Sequence, residues 1–343
     1  MSCLRHNLSR KSRADSSNVI RVASLLAVFL PVAAWAADAQ LSAIDYVNKM
    51  GTALQTLNYH GTLVYINNGQ VESIELFHKN DGKDEIERLV HLSGEPREVI
   101  RDNDVVTCYL PDSQSVVVGQ RRFNNHLFAK LTTNLDQFAP NYSFIIAGSN
   151  RVAGKVSRVI NINPKDLYRY GYRLWIDENS YLLLRSELVD SQGSVLEQMM
   201  FTQIDVNDQI PDSMLKPAIT GESFTWHGAD NKDANKINTH QTWKVGKMPS
   251  GFMVSARYKQ NMPNSTRPAE HAIISDGLAS ISVYIEPFDN ESKSFEGASR
   301  VGAMNIFGLV QEDHQVTIVG EVPMNTIEMI AQSIRFQSDM DPQ

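Results

Sequence analysis

The stretches YGYRLWID (170–177) and YLLLRSELVD (181–190) decide the fold. In the first, Tyr172, Leu174 and Ile176 point one way and Trp175 the other. In the second, Leu182, Leu184 and Leu188 share one side, with Tyr181, Leu183 and Val189 opposite. Both run with a period of two, and Asp177-Glu178-Asn179-Ser180 between them is turn chemistry, so they read as an antiparallel hairpin. A sheet wet on one face alternates apolar and polar residues. Here both faces are apolar and both want cover. Tyr59–Ile66 repeats the pattern, with Leu63 and Tyr65 backed by Val64 and Ile66. Either helices pack on one face and fill a core, or the sheet curls around an apolar cavity. The residues leave both open.

Outward from this hairpin the same period continues. Candidate strands are Tyr59–Ile66, Val71–His78, Glu85–Leu92, Arg97–Arg101, Val105–Leu110 and Ser115–Gly119, then Tyr142–Ala147, Val156–Ile162 and Val195–Val206. Short turns such as Asn67-Asn68-Gly69 and Asn80-Asp81-Gly82 can join only antiparallel neighbours, which predicts a meander. A helix precedes it: Leu41, Ile44, Val47, Met50, Leu54 and Leu57 form one stripe, and Ser42 and Asp45 have capping-box spacing. Arg121–Pro140 interrupts the strands. Phe123, Leu127, Phe128, Leu131, Leu135 and Phe138 there are spaced for one or two short helices, suited to a lid on the sheet.

Residues 207–239 read as a linker rich in Asp, Pro and Gly, followed by a charged polar run from Gly228 to Lys236. Beyond it, strands at Gln241–Val245, Gly251–Tyr258, His271–Ser275, Leu278–Glu286, Val301–Leu309 and Gln315–Val322 and a helix at Thr326–Phe336 make a smaller α+β domain, 240–343. The fold class is α+β, mainly β, with 38–206 as the large curved antiparallel sheet and its helices.

The chain has 343 residues, 42% hydrophobic and 21% charged, with a net charge of −7. That is a globular composition, and the acidity argues against a nucleic-acid binder. Arg5, Arg10, Lys11, Arg13 and Arg21, the apolar run Val22–Ala34 and the small-x-small Ala34-Trp35-Ala36 read as a signal peptide over 1–36, cleaved on export. A run of this length is short of a membrane span. The remaining chain carries 27 basic and 38 acidic residues and one cysteine, Cys108. It forms no internal disulfide in an oxidising compartment, so packing must hold it. Cys108, in an apolar strand, reads as a small hydrophobe.

Catalytic motifs are absent: no G-x-S-x-G, no phosphate-binding glycine loop, no H-E-x-x-H and no cysteine pair for zinc. The sequence is that of a binding protein, with no enzyme activity, cofactor or metal implied. Arg121 and Arg122, beside Lys130, form a basic spot suited to an anionic partner.

Several long segments resemble the sigma-E factor regulatory proteins of the RseB/MucB family: YSFIIAG (142–148), RYGYRLWID (169–177), LRSELVD (184–190), GSVLEQ (193–198), ISVYIEP (281–287), GAMNIF (302–307) and HQVTIVGEVP (314–323). The resemblance implies a large domain similar to LolA and LolB, a half-open antiparallel barrel with helices plugging an apolar cavity. It implies a periplasmic negative regulator of a sigma-E-type envelope stress response. Such a protein binds the periplasmic segment of an RseA/MucA-type anti-sigma factor, shields it from the site-1 protease, and is released by lipid or lipopolysaccharide fragments. Monomer and homodimer are both compatible with the sequence. By strand face, the candidate lipid-contacting residues are Leu63, Tyr65, Leu76, Val106, Trp175 and Leu183, with Phe138 from the helical insertion; each suits plain core equally. The alternative function is a periplasmic lipid or lipoprotein carrier, which the large domain alone would suit. The second domain argues against it, because the carriers resembled are single-domain.

Overall fold

In the computed structural model, residues 41–120, 135–206, 209–218, 224–228, 242–260, 268–288 and 294–336 are described. The expected signal peptide, most of the expected linker and the basic spot at Arg121, Arg122 and Lys130 lie outside the described residues.

The first helix, α1 (Ala43–Thr56), begins where the spacing predicts. The Asp45 amide donates to Ser42 Oγ (3.2 Å) and the Ser42 amide donates to Asp45 Oδ2 (2.9 Å), a closed capping box. Among the described residues, twelve strands form one sheet: β1 (Tyr59–Asn67), β2 (Gln70–Asn80), β3 (Glu85–His91), β4 (Glu98–Asp102), β5 (Val105–Leu110), β6 (Ser115–Gln120), β7 (Tyr142–Val152), β8 (Lys155–Pro164), β9 (Gly171–Asp177), β10 (Leu183–Val189), β11 (Val195–Val206) and β12 (Thr225–Gly228). Across the sheet they run β12-β6-β5-β4-β3-β2-β1-β11-β10-β9-β8-β7. Two meanders, β1–β6 and β7–β11, are joined where β1 meets β11. The ends, β12 and β7, do not pair with each other, so the sheet is an open half-barrel. The Asn68-Gly69 turn has φ of 51° and 75°, the left-handed pair that matches strand twist in a two-residue hairpin.

Both faces are covered, but by different means. On the concave side α1 packs against β7, β8 and β9. Val47 and Met50 meet a core with Ile160, Leu174 and Ile176, all with no measurable exposure. On the convex side a 3-10 turn at Asp212–Leu215 lays Ile210 and Leu215 on Phe77, Ile86 and Val90. It is tied down by a buried ion pair: Arg88 Nη2 lies 3.2 Å from Glu98 Oε2, Arg88 Nη1 donates to the Met214 carbonyl (2.8 Å), and Glu98 accepts from the Ala218 amide. The stretch read as a linker thus carries this turn and β12, which pairs in parallel with β6, a pairing its four residues do not announce. Elsewhere on the convex face, Trp175 lies under the Arg185 guanidinium, 4.3 Å from the ring centroid. Arginine stems supply its apolar cover.

The smaller domain has β14 (Met253–Gln260), β15 (Ala269–Ser275), β16 (Ser280–Pro287), β17 (Gly297–Val301), β18 (Met304–Gln311) and β19 (His314–Gly320) in the order β14-β15-β16-β19-β18-β17. Helix α2 (Met324–Gln332) covers it through Ile327 and Ile330. Two expectations change here. The predicted strand Val301–Leu309 begins later, at Met304 of β18, because Gly302 (φ 60°) turns the chain after Val301, the last residue of β17. The predicted helix to Phe336 stops at Gln332. Ile334 and Phe336 instead alternate inward in β20 (Ile334–Phe336), paired with β13 (Trp243–Val245). Ile334 sits at helical spacing from Ile327 and Ile330, yet its period-two partner Phe336 sets the structure.

Candidate functional site

The concave face is not filled along its whole length. Beyond the α1 core, the β1–β5 half of the sheet and β9–β11 enclose a cavity of about 550 Å³. That is within the range of small-ligand sites, about 300–1,000 Å³. Its floor is apolar: Leu63 from β1, Ile74 and Leu76 from β2, Leu89 from β3, Val99 from β4, Leu188 from β10 and Met199 from β11. Register explains why these residues converge. Leu63 stands opposite Ile74 and Phe201, and Leu76 opposite Leu89, so alternate residues of each strand share the inner face. Cys108 completes the wall, and burial pushes its thiol pKa up.

One wall is charged. Glu87 and Arg101 stand directly opposite in the β3–β4 hairpin, and Arg101 Nη1 lies 2.7 Å from both Glu87 oxygens. His91 Nδ1 is 3.1 Å from Glu72, and Arg97 Nη2 lies 2.9 Å from His91 Nε2. Burial, then the neighbouring Arg97, holds the His91 pKa below its usual value, so it is neutral at pH 7. Tyr65, which stands opposite Glu72 across β1–β2, and Tyr172 of β9 also line the cavity; burial raises both phenols well above their usual pKa, with Glu197 and Glu321 adding to the effect. Tyr65 accepts from Asn67 Nδ2 at 3.1 Å. Glu321 comes from the smaller domain, just after β19, so both domains contribute to the cavity. Glu197 and Gln198 also line a neighbouring hollow of about 630 Å³, whose far side is Arg300 and Gly302 of the smaller domain. An apolar floor with a charged wall suits an amphiphile, with its chain on the floor and its head at the rim. Among the described residues there is no cluster of His, Cys, Asp and Glu suited to a metal, and no helix is long and apolar enough to cross a membrane.

The residues proposed from strand face alone divide. Leu63, Tyr65 and Leu76 line the cavity together. Val106 shares their face, opposite Arg101, but lies outside the lining. Trp175 is on the convex side under Arg185. Leu183 is concave, opposite Ile176, and fully buried in the core near α1. A β-bulge between Leu183 and Arg185 shifts the alternation there, which puts Leu183 opposite Ile176 on the inner face with Leu188. Phe138 is buried against Gly277 of the smaller domain, where a Cβ would run into its ring. The charged wall was not singled out from sequence. Its signal is there: Glu87 and Arg101 are opposite charges, seven residues to either side of Gly94 in the β3–β4 turn.

Two family models match this chain in succession: the MucB/RseB N-terminal domain over residues 42–219 and the MucB/RseB C-terminal domain over residues 238–335. The chain belongs to the MucB/RseB family. Among relatives, sigma-E factor regulatory protein RseB of Haemophilus influenzae is 28% identical over 312 residues, 91% of this chain and 97% of that protein. Sigma factor AlgU regulatory protein MucB of Pseudomonas aeruginosa is 29% identical over 321 residues, 92% of this chain and 98% of that protein. Among solved structures, the Pseudomonas aeruginosa MucA/MucB complex superposes with a TM-score of 0.69 at 27% identity, covering 86% of this chain and 98% of that one. Crystal structures of MucB with the periplasmic part of MucA and of MucB alone match with TM-scores of 0.67 and 0.60 at the same coverage. The two-domain architecture of the family is therefore present here from end to end of the described residues.

Proposed function

We propose that this protein is a periplasmic negative regulator of a sigma-E-type stress response. It binds the periplasmic segment of a MucA- or RseA-type anti-sigma factor, protects that segment from site-1 proteolysis, and lets go when lipid or a lipopolysaccharide fragment enters the cavity. The observation that carries the reading is the hollow itself: an apolar floor under a charged wall, built by both domains, in a fold shared with a MucB that is crystallised with MucA. Export through the amino-terminal segment places the chain where both guests are.

The energetics allow the exchange. Burying each CH₂ gains roughly 0.8 kcal/mol, so a long acyl chain gains up to about 10 kcal/mol gross. Moving an equilibrium from 1:99 to 99:1 takes about 5.5 kcal/mol of preference for one state. A chain buried on the Leu63–Leu76–Leu89 floor supplies that preference when the partner-bound form closes or reshapes the cavity. The test is protection. The mature chain is mixed with an anti-sigma periplasmic segment and the site-1 protease, and cleavage is followed on a gel. Slowed cleavage, restored by lipid, is expected. Cleavage at the free-segment rate with the protein in excess rejects the protective role.

A further inference from the structure

The loop between β8 and β9, Lys165–Tyr170, is where the two domains grip each other. Arg169 is at its centre, with a fully buried side chain. Its Nη1 donates to Asp276 Oδ2 of the smaller domain at 2.6 Å, and its Nη2 donates to the Ser250 carbonyl at 2.6 Å. Its guanidinium lies over the rings of Tyr142 and Phe252, one from each domain, 5.3 and 4.8 Å from their centroids. Asp276 is equally buried and fully used: Tyr142 donates to the same Oδ2 (2.8 Å), while Oδ1 accepts the amides of Leu278 and Ala279. On either side of Arg169 the loop is held again. Thr326 Oγ1 donates to the Tyr168 carbonyl (2.8 Å), and Asn305 Nδ2 donates to the Tyr170 hydroxyl (3.0 Å).

Two features tie this grip to the cavity. Arg169 is three residues before Tyr172, whose ring lines the cavity, with Tyr170 and Gly171 between. Glu321, the smaller domain's contribution to the cavity, lies five residues before Thr326, which holds the loop. A guest that displaces Glu321 therefore acts on elements joined through the contacts of this loop.

We propose that Arg169 and Asp276 are positioning residues that couple the cavity to the smaller domain, so that filling the cavity changes what the smaller domain can bind. A buried pair of this kind does not stretch gradually. Separating its members strands the Asp276 carboxylate away from water, while Arg169 keeps Asp166 of its own loop, whose Oδ2 lies 3.0 Å from its Nη2; the domain contact is therefore either made or abandoned. Packed interfaces switch between discrete arrangements for the same reason. The domain junction then has two states, and a guest that fits one better than the other shifts the balance.

This proposal rests on the partner-exchange reading, so the experiment separates the two. The wild-type mature chain, Arg169→Met and Asp276→Asn are compared. Arg169→Met leaves Asp276 its Tyr142, Leu278 and Ala279 donors, and Asp276→Asn keeps an oxygen for the turn, so each preserves part of the local structure. For each protein the affinity for a MucA-type periplasmic segment is measured with and without saturating palmitoyl lysophosphatidylethanolamine, and the affinity for that lipid is measured alone. In the wild type, lipid is expected to weaken partner binding by about 5–150-fold, the usual range of coupling between sites. In the variants both guests still bind, and the factor falls toward one. A folded variant that keeps the wild-type factor overturns the proposal. A variant that loses lipid affinity as steeply as it loses the factor also overturns it, because the role is then structural. No lipid effect in the wild type would instead reject the partner-exchange reading, and this proposal with it.

Discussion

Two substitutions of the same chemistry measure whether the concave face is hollow. Leu76 and Leu174 are both buried, 5% and 0% exposed, and both lie on the inner face of the sheet. Leu76 borders the 550 Å³ cavity, whereas Leu174 lies between Ile160 and Ser186 in the core covered by α1. Leu→Phe adds volume at each site. At Leu174 the surroundings are close-packed, and overpacking costs about 1–3 kcal/mol through strained rotamers and shifted backbone. At Leu76 the larger ring enters open space, and burying its extra apolar surface offsets the small loss of fit, so the expected change is within about 0.5 kcal/mol, as for a substitution without a named cost. For a domain of this size about 1 kcal/mol corresponds to roughly 2–4 °C in melting temperature. Differential scanning calorimetry of the two variants should therefore separate them by several degrees, with Leu174→Phe the lower. Leu76→Phe should also weaken lysophospholipid binding, because it occupies the floor. Equal melting losses at the two sites would show that the space beside Leu76 is as full as the core, and the guest-binding account would go with it.

The convex cover gives a second prediction. Arg88→Met leaves Glu98, with a side chain only 2% exposed, without its ion-pair partner. The loss should be about 3–5 kcal/mol. A chemical-denaturation loss below 1 kcal/mol would mean that the 209–218 segment is not held by this pair. The third concerns pH. His271 stacks on Tyr284 and meets Tyr258 edge-on, and neither ring nitrogen has a hydrogen-bond partner among the described residues; burial lowers its pKa to about 4. The unfolded chain takes up this proton near pH 6.5 and the folded chain only near 4. The histidine's contribution is therefore intact above pH 6.5 and lost as pH falls through that window. His271→Phe should flatten the stability profile between pH 6.5 and 4, and an unchanged acid slope would refute the assignment.

Much of this fold could be read along the chain because turns and period-two runs are local. The Asn68-Gly69 hairpin, the capping box and nearly all strands of the large sheet follow from neighbouring residues. What escaped reading depends on residues far apart. Whether the inner face is hollow is decided by how far α1 reaches along it, and Leu76 and Leu174 look alike in sequence. The bulge at Leu183/Arg185 shifts the face of one residue without leaving a mark on composition. Strand face makes Trp175 a candidate pocket residue, yet arginine stems cover it on the outside. β12 is four residues without an apolar pattern, and its pairing exists only because the β6 edge is there to receive it. The charged wall is spread over β2, β3 and β4. Only the matched register of Glu87 and Arg101 distinguishes it.

The central claim is that one apolar hollow and one protein partner compete through this chain. The most direct measurement is calorimetric titration of a MucA-type periplasmic segment into the mature protein at rising concentrations of palmitoyl lysophosphatidylethanolamine. The account predicts that the dissociation constant rises with lipid and levels off once the hollow is full. A constant affinity for the segment, measured with lipid shown to be bound, would contradict it.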